Sequence, residues 1–386
     1  MKHGLKELYK MFNLVLKSIQ KGAKEYKKFL RHELKDAEDK QAIREELRNV
    51  RAFLDGLRDF RHDFREVKHT IKEIRNKWSE SEVRNFILSH VELGVMDGEI
   101  PWGVDRVTSD YEVGGEGVQV AVLDTGVDPS HPDLADRVTW MYDATGTGMQ
   151  DLTGHGTHVA GTIAASYNGE GVAGVASGAE IYAIKVLAGT DMIGEYEWFA
   201  DGIYAAVYGP DGILGTADDA DVISMSFDSQ GELPPSYVYD AIRFAYDHGV
   251  VLVAAAGNGG DGDITTLEGD TWPAAYDEVI AVGSTNILDQ VSDFSNTAPY
   301  LELVAPGEFI LSTYLDGSYA VWAGTSMATP HVSGVVALLI SEYGHLPVGS
   351  FNDMGTDTIR GLLHSMAYQF GTSAWTAYSG YGLVQY

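Results

Sequence analysis

From about residue 115 the chain repeats one local pattern: a short Val/Ile/Ala-rich run that ends in Gly, Asp or Asn. The runs are "GVQVAVLDTG", "EIYAIKVLAG", "DVISMSF", "GVVLVAAAGN" and "EVIAVGSTN". Runs this apolar have no polar face to give to water, so they read as strands buried on both sides. Helical stretches lie between or beside them: "HVAGTIAAS", "WFADGIYAAVY" and "YVYDAIRFAYDHG". Alternation of this kind predicts an α/β fold, a parallel sheet with helices on both faces. In such sheets functional residues gather at the carboxyl ends of the strands.

The preceding part is different. Apolar residues at Leu5, Tyr9, Phe12, Leu16, Ile19, Ala23, Tyr26 and Leu30 alternate four and three apart, a heptad seam. A second seam runs from Ile43 to Trp78, with a phase slip at Gly56. The pattern predicts an all-α helical hairpin or small bundle, serving as a plain core seam or as an interaction surface. Residues 1–96 are therefore expected to form a helical N-terminal segment and residues 97–386 the α/β domain.

Charge divides at the same place. Of 27 Lys+Arg and 56 Asp+Glu, 22 and 15 fall in residues 1–90, leaving 5 and 41 for the remainder, about +7 against about −36. Parts of opposite sign can attract each other or seek separate partners. There are no cysteines, so disulfides, thiolate metal sites and a cysteine nucleophile are excluded. No apolar run has the length of a membrane span, and Lys and Glu interrupt the first 20 residues, so no transmembrane segment and no intact signal peptide are expected. An extracellular location is favoured if a signal has been removed, a cytoplasmic one otherwise.

Four polar residues stand at the ends of these elements: Asp124 in "VAVLDTGVDPSHPDL", His155 in "GHGTHVAGT", Asn258 in "VAAAGNGG" and Ser326 in "GTSMATPHV". Each has a structural alternative. Asp124 and Asn258 suit turns after strands, and His155 and Ser326 suit helix starts. Together they supply a carboxylate, an imidazole, an amide and a hydroxyl, a combination far more specific than any one of them.

From Ile100 to Gln385 these motifs resemble the subtilisin-like serine proteases, the subtilases, in the chain order Asp, His, Ser known for subtilisin. The resemblance implies a serine endopeptidase in which Ser326 attacks the peptide carbonyl, His155 takes its proton, Asp124 orients His155, and Asn258 stabilises the oxyanion. His158 and His331, beside these motifs, are expected to pack and hydrogen-bond. The family's chains commonly continue past "GYGLVQY" into a short final helix.

The resemblance also implies a substrate channel. Ser224, Ser226 and Phe227 on one side, and Ile193 and Gly194 on the other, are expected to flank an extended peptide. Tyr196 and Phe199 match the S4 pocket, which suits an apolar P4 residue. Ala256 and Gly257, just before Asn258, are also expected to bind substrate. Asp228 and Ser229 stand where the family has Gly-Gly, and Thr271 where the S1 floor is commonly Gly. A carboxylate at that rim favours Lys or Arg at P1, whereas a shallower floor favours mid-sized residues.

Structural Ca²⁺ is implied at two places. Asp133, with the side chain of Asn168 and the carbonyls of Ser166, Glu170 and Val172, matches the family's tight site. There Asp97 or Glu99 must replace the usual N-terminal Gln. The loop "GPDGILGTADDADV" resembles archaeal calcium loops and offers Asp211, Asp218, Asp219 and Asp221. No catalytic metal or organic cofactor is expected.

Subtilases are commonly made with an N-terminal propeptide, and residues 1–96 fit an intramolecular chaperone or inhibitor by charge. Processing after Met96 would place Leu93 at P4 and Asp97 at the new N-terminus. The usual propeptide is a small α/β fold, whereas this one reads helical, so a docking or oligomerisation module stands beside that reading. Substrates are expected to be proteins or peptides, and nucleic acid is not expected as a partner. Readings from other classes are a catalytically silent subtilase-fold binding protein, and an acyl transferase or peptide ligase on the same triad.

Overall fold

The structure, a computed structural model, describes residues 96–97, 99–108, 111–231, 233–263, 266–371 and 373–386. The helical reading of the N-terminal segment falls outside these residues. The unit Gly94–Tyr386 is described by itself.

Seven strands form one sheet: β1 Gln119–Asp124, β2 Val138–Asp143, β3 Glu180–Lys185, β4 Val222–Met225, β5 Val251–Ala255, β6 Val279–Thr285 and β7 Leu301–Pro306. Their order is β7-β6-β5-β4-β1-β3-β2, and every neighbouring pair is parallel. The expected α/β parallel sheet is present.

Six helices accompany it: α1 Trp102–Val107, α2 His155–Ala164, α3 Tyr196–Tyr208, α4 Ser236–Asp247, α5 Thr325–Tyr343 and α6 Ile359–Met366. Alternate strand residues enter opposite layers, as the period of two demands. Val120, Val122, Val251 and Val253 pack with α2 and α5, whereas Ala121, Leu123, Leu252 and Ala254 pack with α3 and α4. Burial on both faces is why these strands read as unbroken apolar runs.

Two strands lack that signature. β2 is an edge strand, only partly buried and paired on one side. In β7, Glu302 interrupts the apolar run, yet its side chain is fully buried against Arg360 and His364 of α6.

The strand order turns at β1: β4 to β7 extend to one side, β3 and β2 to the other. Asp124 is the last residue of β1, so its carboxylate stands at the carboxyl edge where ligand crevices open. Helix α5 is buried along most of its length and packs across the sheet against β1, β4, β5, β6 and β7. Pro330 lies inside α5 and has no N–H to give to the Ser326 carbonyl.

Candidate active site

Asp124 is fully buried, and His155 Nδ1 lies 2.8 and 2.9 Å from its two carboxylate oxygens. Oδ1 also accepts the Thr125 N–H at 2.7 Å. His155 is the first residue of α2, held there by a polar loop. Gly154, before it, has φ 81°, a left-handed conformation, and a Cβ there would stand 2.1 Å from the Tyr314 ring. A Cβ on Gly156 would stand 2.0 Å from the Gly126 carbonyl oxygen, so glycine lets α2 settle against the end of β1.

The unpaired N–H groups at the start of α2 are met by side chains. Asp151 is buried and accepts from the backbone of Thr153, Gly154 and Thr157, and from the hydroxyls of Thr125 and Thr157. Thr153 and Thr125 accept from His155 N and Gly156 N. A carboxylate at a helix N-terminus is favourable in its own right. Sequence reasoning overlooked Asp151, although an Asp three residues before a Gly at a helix start is a recognisable capping signal.

Burial disfavours the charged form of His155, but attraction and hydrogen bonding to Asp124 outweigh it and hold the imidazole above its ordinary value. Two further histidines lie near. His158 donates from Nε2 to the Ile310 and Ala320 carbonyls, and His331 donates from Nδ1 to the Met327 carbonyl. Burial pushes them down to about 3 and about 4, so both are neutral packing residues. The Trp322 indole stacks on both His155 and His158, with ring centroids 5.9 and 5.0 Å away.

Asn258 follows β5, and its side-chain oxygen accepts from the Thr325 N–H at 2.8 Å and the Thr325 hydroxyl at 3.1 Å. Ser326 is the second residue of α5, half-buried. His155, Asn258 and Ser326 line one cleft of about 340 Å³.

The cleft is also lined by Gly194, Tyr196, Phe199, Ser226, Phe227, Asp228 and Ser229, and by Trp272 and Pro273. Ser229 pairs with Trp272 in a short antiparallel ladder, and its hydroxyl lies 3.1 Å from that of Tyr196. Five expected channel residues stand behind or beside this lining. Ser224 accepts from the Ser333 hydroxyl of α5, and Ala256 and Gly257 are buried at the end of β5. Thr271 is buried where its hydroxyl accepts from Asn296 Nδ2 at 3.1 Å, and Ile193 is an exposed residue paired with Ala188.

Asp133 lies on the loop between β1 and β2, fully buried. Its Oδ2 accepts from the Val172 N–H at 3.0 Å and the Tyr319 hydroxyl at 2.9 Å, and its carbonyl accepts from Ser166 N. Asn168 Oδ1 accepts the Glu170 N–H. Backbone pairing joins Asp97 to Ile100, and the turn between them carries Glu99, whose Oε1 accepts from Gly169 N at 3.1 Å. Asp133 Oδ1 and Glu99 Oε2 are buried with no hydrogen-bond partner.

In the loop 209–222 the acids are engaged with their own loop. Asp211 and Asp218 accept from nearby N–H groups, as does Asp219 from Gly215 N, and the Thr216 hydroxyl lies within hydrogen-bond distance of all three. Asp221 stands apart, accepting from Gln119 N and pairing with His345. Among the described residues there is no group of three or more His, Asp or Glu side chains that could hold a metal ion. None of their helices is long and apolar enough to cross a membrane.

A parallel sheet with an Asp-paired imidazole, a helix-start serine and a side-chain amide at one edge is the arrangement of an α/β serine peptidase. The chain matches the subtilase family over residues 115–382 and belongs to that family. It is 43% identical over 258 residues to the major intracellular serine protease of Bacillus subtilis (strain 168), covering 64% of this chain and 77% of that protein. It is 43% identical over 250 residues to an intracellular serine protease of Paenibacillus polymyxa (62% and 73%), and 38% identical over 290 residues to subtilisin E of Bacillus subtilis (strain 168) (74% and 70%). The chain is a subtilisin-type serine endopeptidase.

Proposed function

We propose that the chain hydrolyses peptide bonds in protein substrates through Ser326, His155, Asp124 and Asn258. The observation that carries this is the contact of His155 Nδ1 with the buried Asp124 carboxylate, in a cleft that also holds Ser326 and Asn258. With Nδ1–H given to Asp124, Nε2 is left as the base that takes the Ser326 hydroxyl proton. Ser326 Oγ adds to the peptide carbonyl carbon, His155 then protonates the leaving amine, and water releases the acyl group by the same steps in reverse roles.

Negative charge develops on the carbonyl oxygen in each addition. Because Thr325 holds the Asn258 oxygen, the Asn258 amide N–H groups are free to face that charge, together with the Ser326 backbone N–H at the start of α5. Trp322, stacked on His155, limits the tilt of the imidazole.

A structural calcium fits at Asp133 and Glu99. Buried carboxylate oxygens without partners are costly, and a Cβ on Gly171 would stand 2.2 Å from Asp133 Oδ2 and 2.0 Å from the Tyr319 hydroxyl oxygen, so the loop is shaped closely around the acid. Asn168 and the carbonyls of Ser166, Glu170 and Val172 would complete an oxygen shell. The loop acids Asp211, Asp218 and Asp219, already bonded within their loop, are assigned no ion. The basic residues 1–96 act on the acidic domain as a propeptide removed near Met96.

Labelling with a serine-directed fluorophosphonate tests the reading. Labelling and peptide hydrolysis by the wild type, both absent in Ser326→Ala, are expected; a calcium-loaded wild type that is neither labelled nor active overturns it. Processing near Met96 is read on the same gel and is expected to fail in Ser326→Ala.

A further inference from the structure

We propose that Asp228 makes this cleft prefer lysine or arginine at P1, a preference and not a requirement, since the processing proposed above places Met96 at P1. The inference rests on the peptidase reading above and concerns the substrate class of that same site. With Asn258 facing the oxygen of the attacked carbonyl, the P1 residue that bears that carbonyl lies beside Asn258 and the cleft wall next to it. On the cleft side that wall is formed by Ser226–Ser229 after β4, and the buried Ala256–Gly257 after the neighbouring parallel strand β5 stand behind it. The Asp228 carboxylate occupies it: Oδ2 lies 3.1 Å from where a Cβ on Gly257 would stand, one residue before Asn258.

Three further observations point to a cationic partner. Asp228 takes part in no hydrogen bond or ion pair with any other described residue. It is exposed to solvent in the cleft, while the protein around it still displaces some water and holds its carboxyl above the ordinary value, with no donor to offset the loss. Among the described residues the cleft lining contains two more acids, Asp191 and Glu195, and no lysine or arginine. An unpaired, partly desolvated carboxylate gains most from a ligand that brings its own N–H donors and positive charge, which lysine and arginine do and an apolar side chain does not.

Neighbouring residues leave the carboxylate free. The Asn296 side chain, which also stands beside Gly257, accepts from Gly259 N with its oxygen and donates to the Thr271 hydroxyl. Arg243 is paired with Glu278 and Asp247 on α4 and its surroundings.

The experiment compares kcat/KM for fluorogenic tetrapeptides of one P4–P2 sequence that differ only in P1: Arg, Lys, Met and Leu. Wild type, Asp228→Asn and Asp228→Gly are measured, each after fluorophosphonate titration of the Ser326 sites. Wild type is expected to favour Arg or Lys over Met by about tenfold or more, the worth of one charge-assisted hydrogen bond. Both variants are expected to lose that ratio, chiefly through the basic substrates. A wild type that titrates fully but favours Met or Leu, or a ratio unchanged in both variants, overturns the inference and leaves the peptidase reading standing. A wild type that neither titrates nor cleaves any of the four overturns both.

Discussion

Thr325 clamps Asn258: its backbone N–H and hydroxyl hold the Asn258 side-chain oxygen at 2.8 and 3.1 Å, so the amide cannot rotate without losing both bonds. Replacing Asn258 with Leu keeps the volume and removes the donor. The expected loss is that known for the corresponding donor in subtilisin, about 10²–10³ in kcat with little change in KM. Thr325→Val keeps the N–H contact and removes the hydroxyl, so a smaller loss of about tenfold or less in kcat is expected. Equal KM increases in both variants would show instead that Asn258 binds substrate in its ground state.

His155 must be neutral at Nε2 to accept a proton, and its charged form is held above the ordinary imidazole value of 6.5 by Asp124. Activity should therefore fall as pH drops through that raised value, with the acid limb of kcat/KM above pH 6.5. Asp124→Asn removes the charge that raises it, so the limb should move to lower pH while the plateau falls by orders of magnitude. A limb that stays in place in Asp124→Asn would assign it to another group.

The sequence disclosed the site because catalysis requires specific polar residues at places where bland packing does not. Asp124, His155, Asn258 and Ser326 interrupt runs otherwise apolar or glycine-rich, and each stands at an element's end. Strands β1, β3, β4, β5 and β6 were legible for a related reason, since burial on both faces leaves no polar alternation. β2 was not, because an edge strand tolerates Thr, Trp and Asp. The roles of Thr325 and Trp322 depend on which distant segments meet, and local pattern does not record that. Glu99 was legible only as an alternative to Asp97, since two acids with a single glycine between them differ only in which one the turn aims at the 166–172 loop.

Asp151 accepts six hydrogen bonds, five from residues 153–157 at the start of α2 and one from the Thr125 hydroxyl, so its removal leaves several buried donors unmet. Asp151→Ala is expected to lose about 3 kcal/mol or more of stability, and to lower kcat/KM by displacing His155. Asp151→Asn, which keeps one acceptor oxygen, should recover part of both. Thermal melting together with kcat separates the two effects: a melting loss with unaltered kcat would confine Asp151 to folding.

Calcium bound by Asp133, Glu99 and the 166–172 loop would stabilise only the folded chain, so chelation should lower the melting temperature by well over the few degrees that about 1 kcal/mol represents. Asp133→Asn should melt lower and respond less to chelator, and Glu99→Gln should weaken calcium binding measured by titration calorimetry. An unchanged melting temperature in excess chelator would refute a structural ion.

Glu302 on β7 and Arg360 on α6 form a buried pair, with Arg360 Nε 2.8 Å from Oε1 and His364 Nε2 2.8 Å from the same oxygen. Burial opposes the Glu302 charge, but Arg360 and His364 more than offset it and hold its carboxyl below the ordinary 4.5. A depressed carboxylate contributes stability that is complete above its unfolded value and lost as pH falls through the folded one, so this pair should weaken only below about pH 4.5. Glu302→Ala leaves Arg360 buried and uncompensated at every pH, and a loss of about 3–5 kcal/mol is expected. Glu302→Leu with Arg360→Met, which removes both charges, should recover much of it, because the cost lies in the unpaired guanidinium. If the double variant is no more stable than Glu302→Ala, the charge pair contributes more than the compensation of its own burial, and α6 is held to the sheet by attraction rather than by packing.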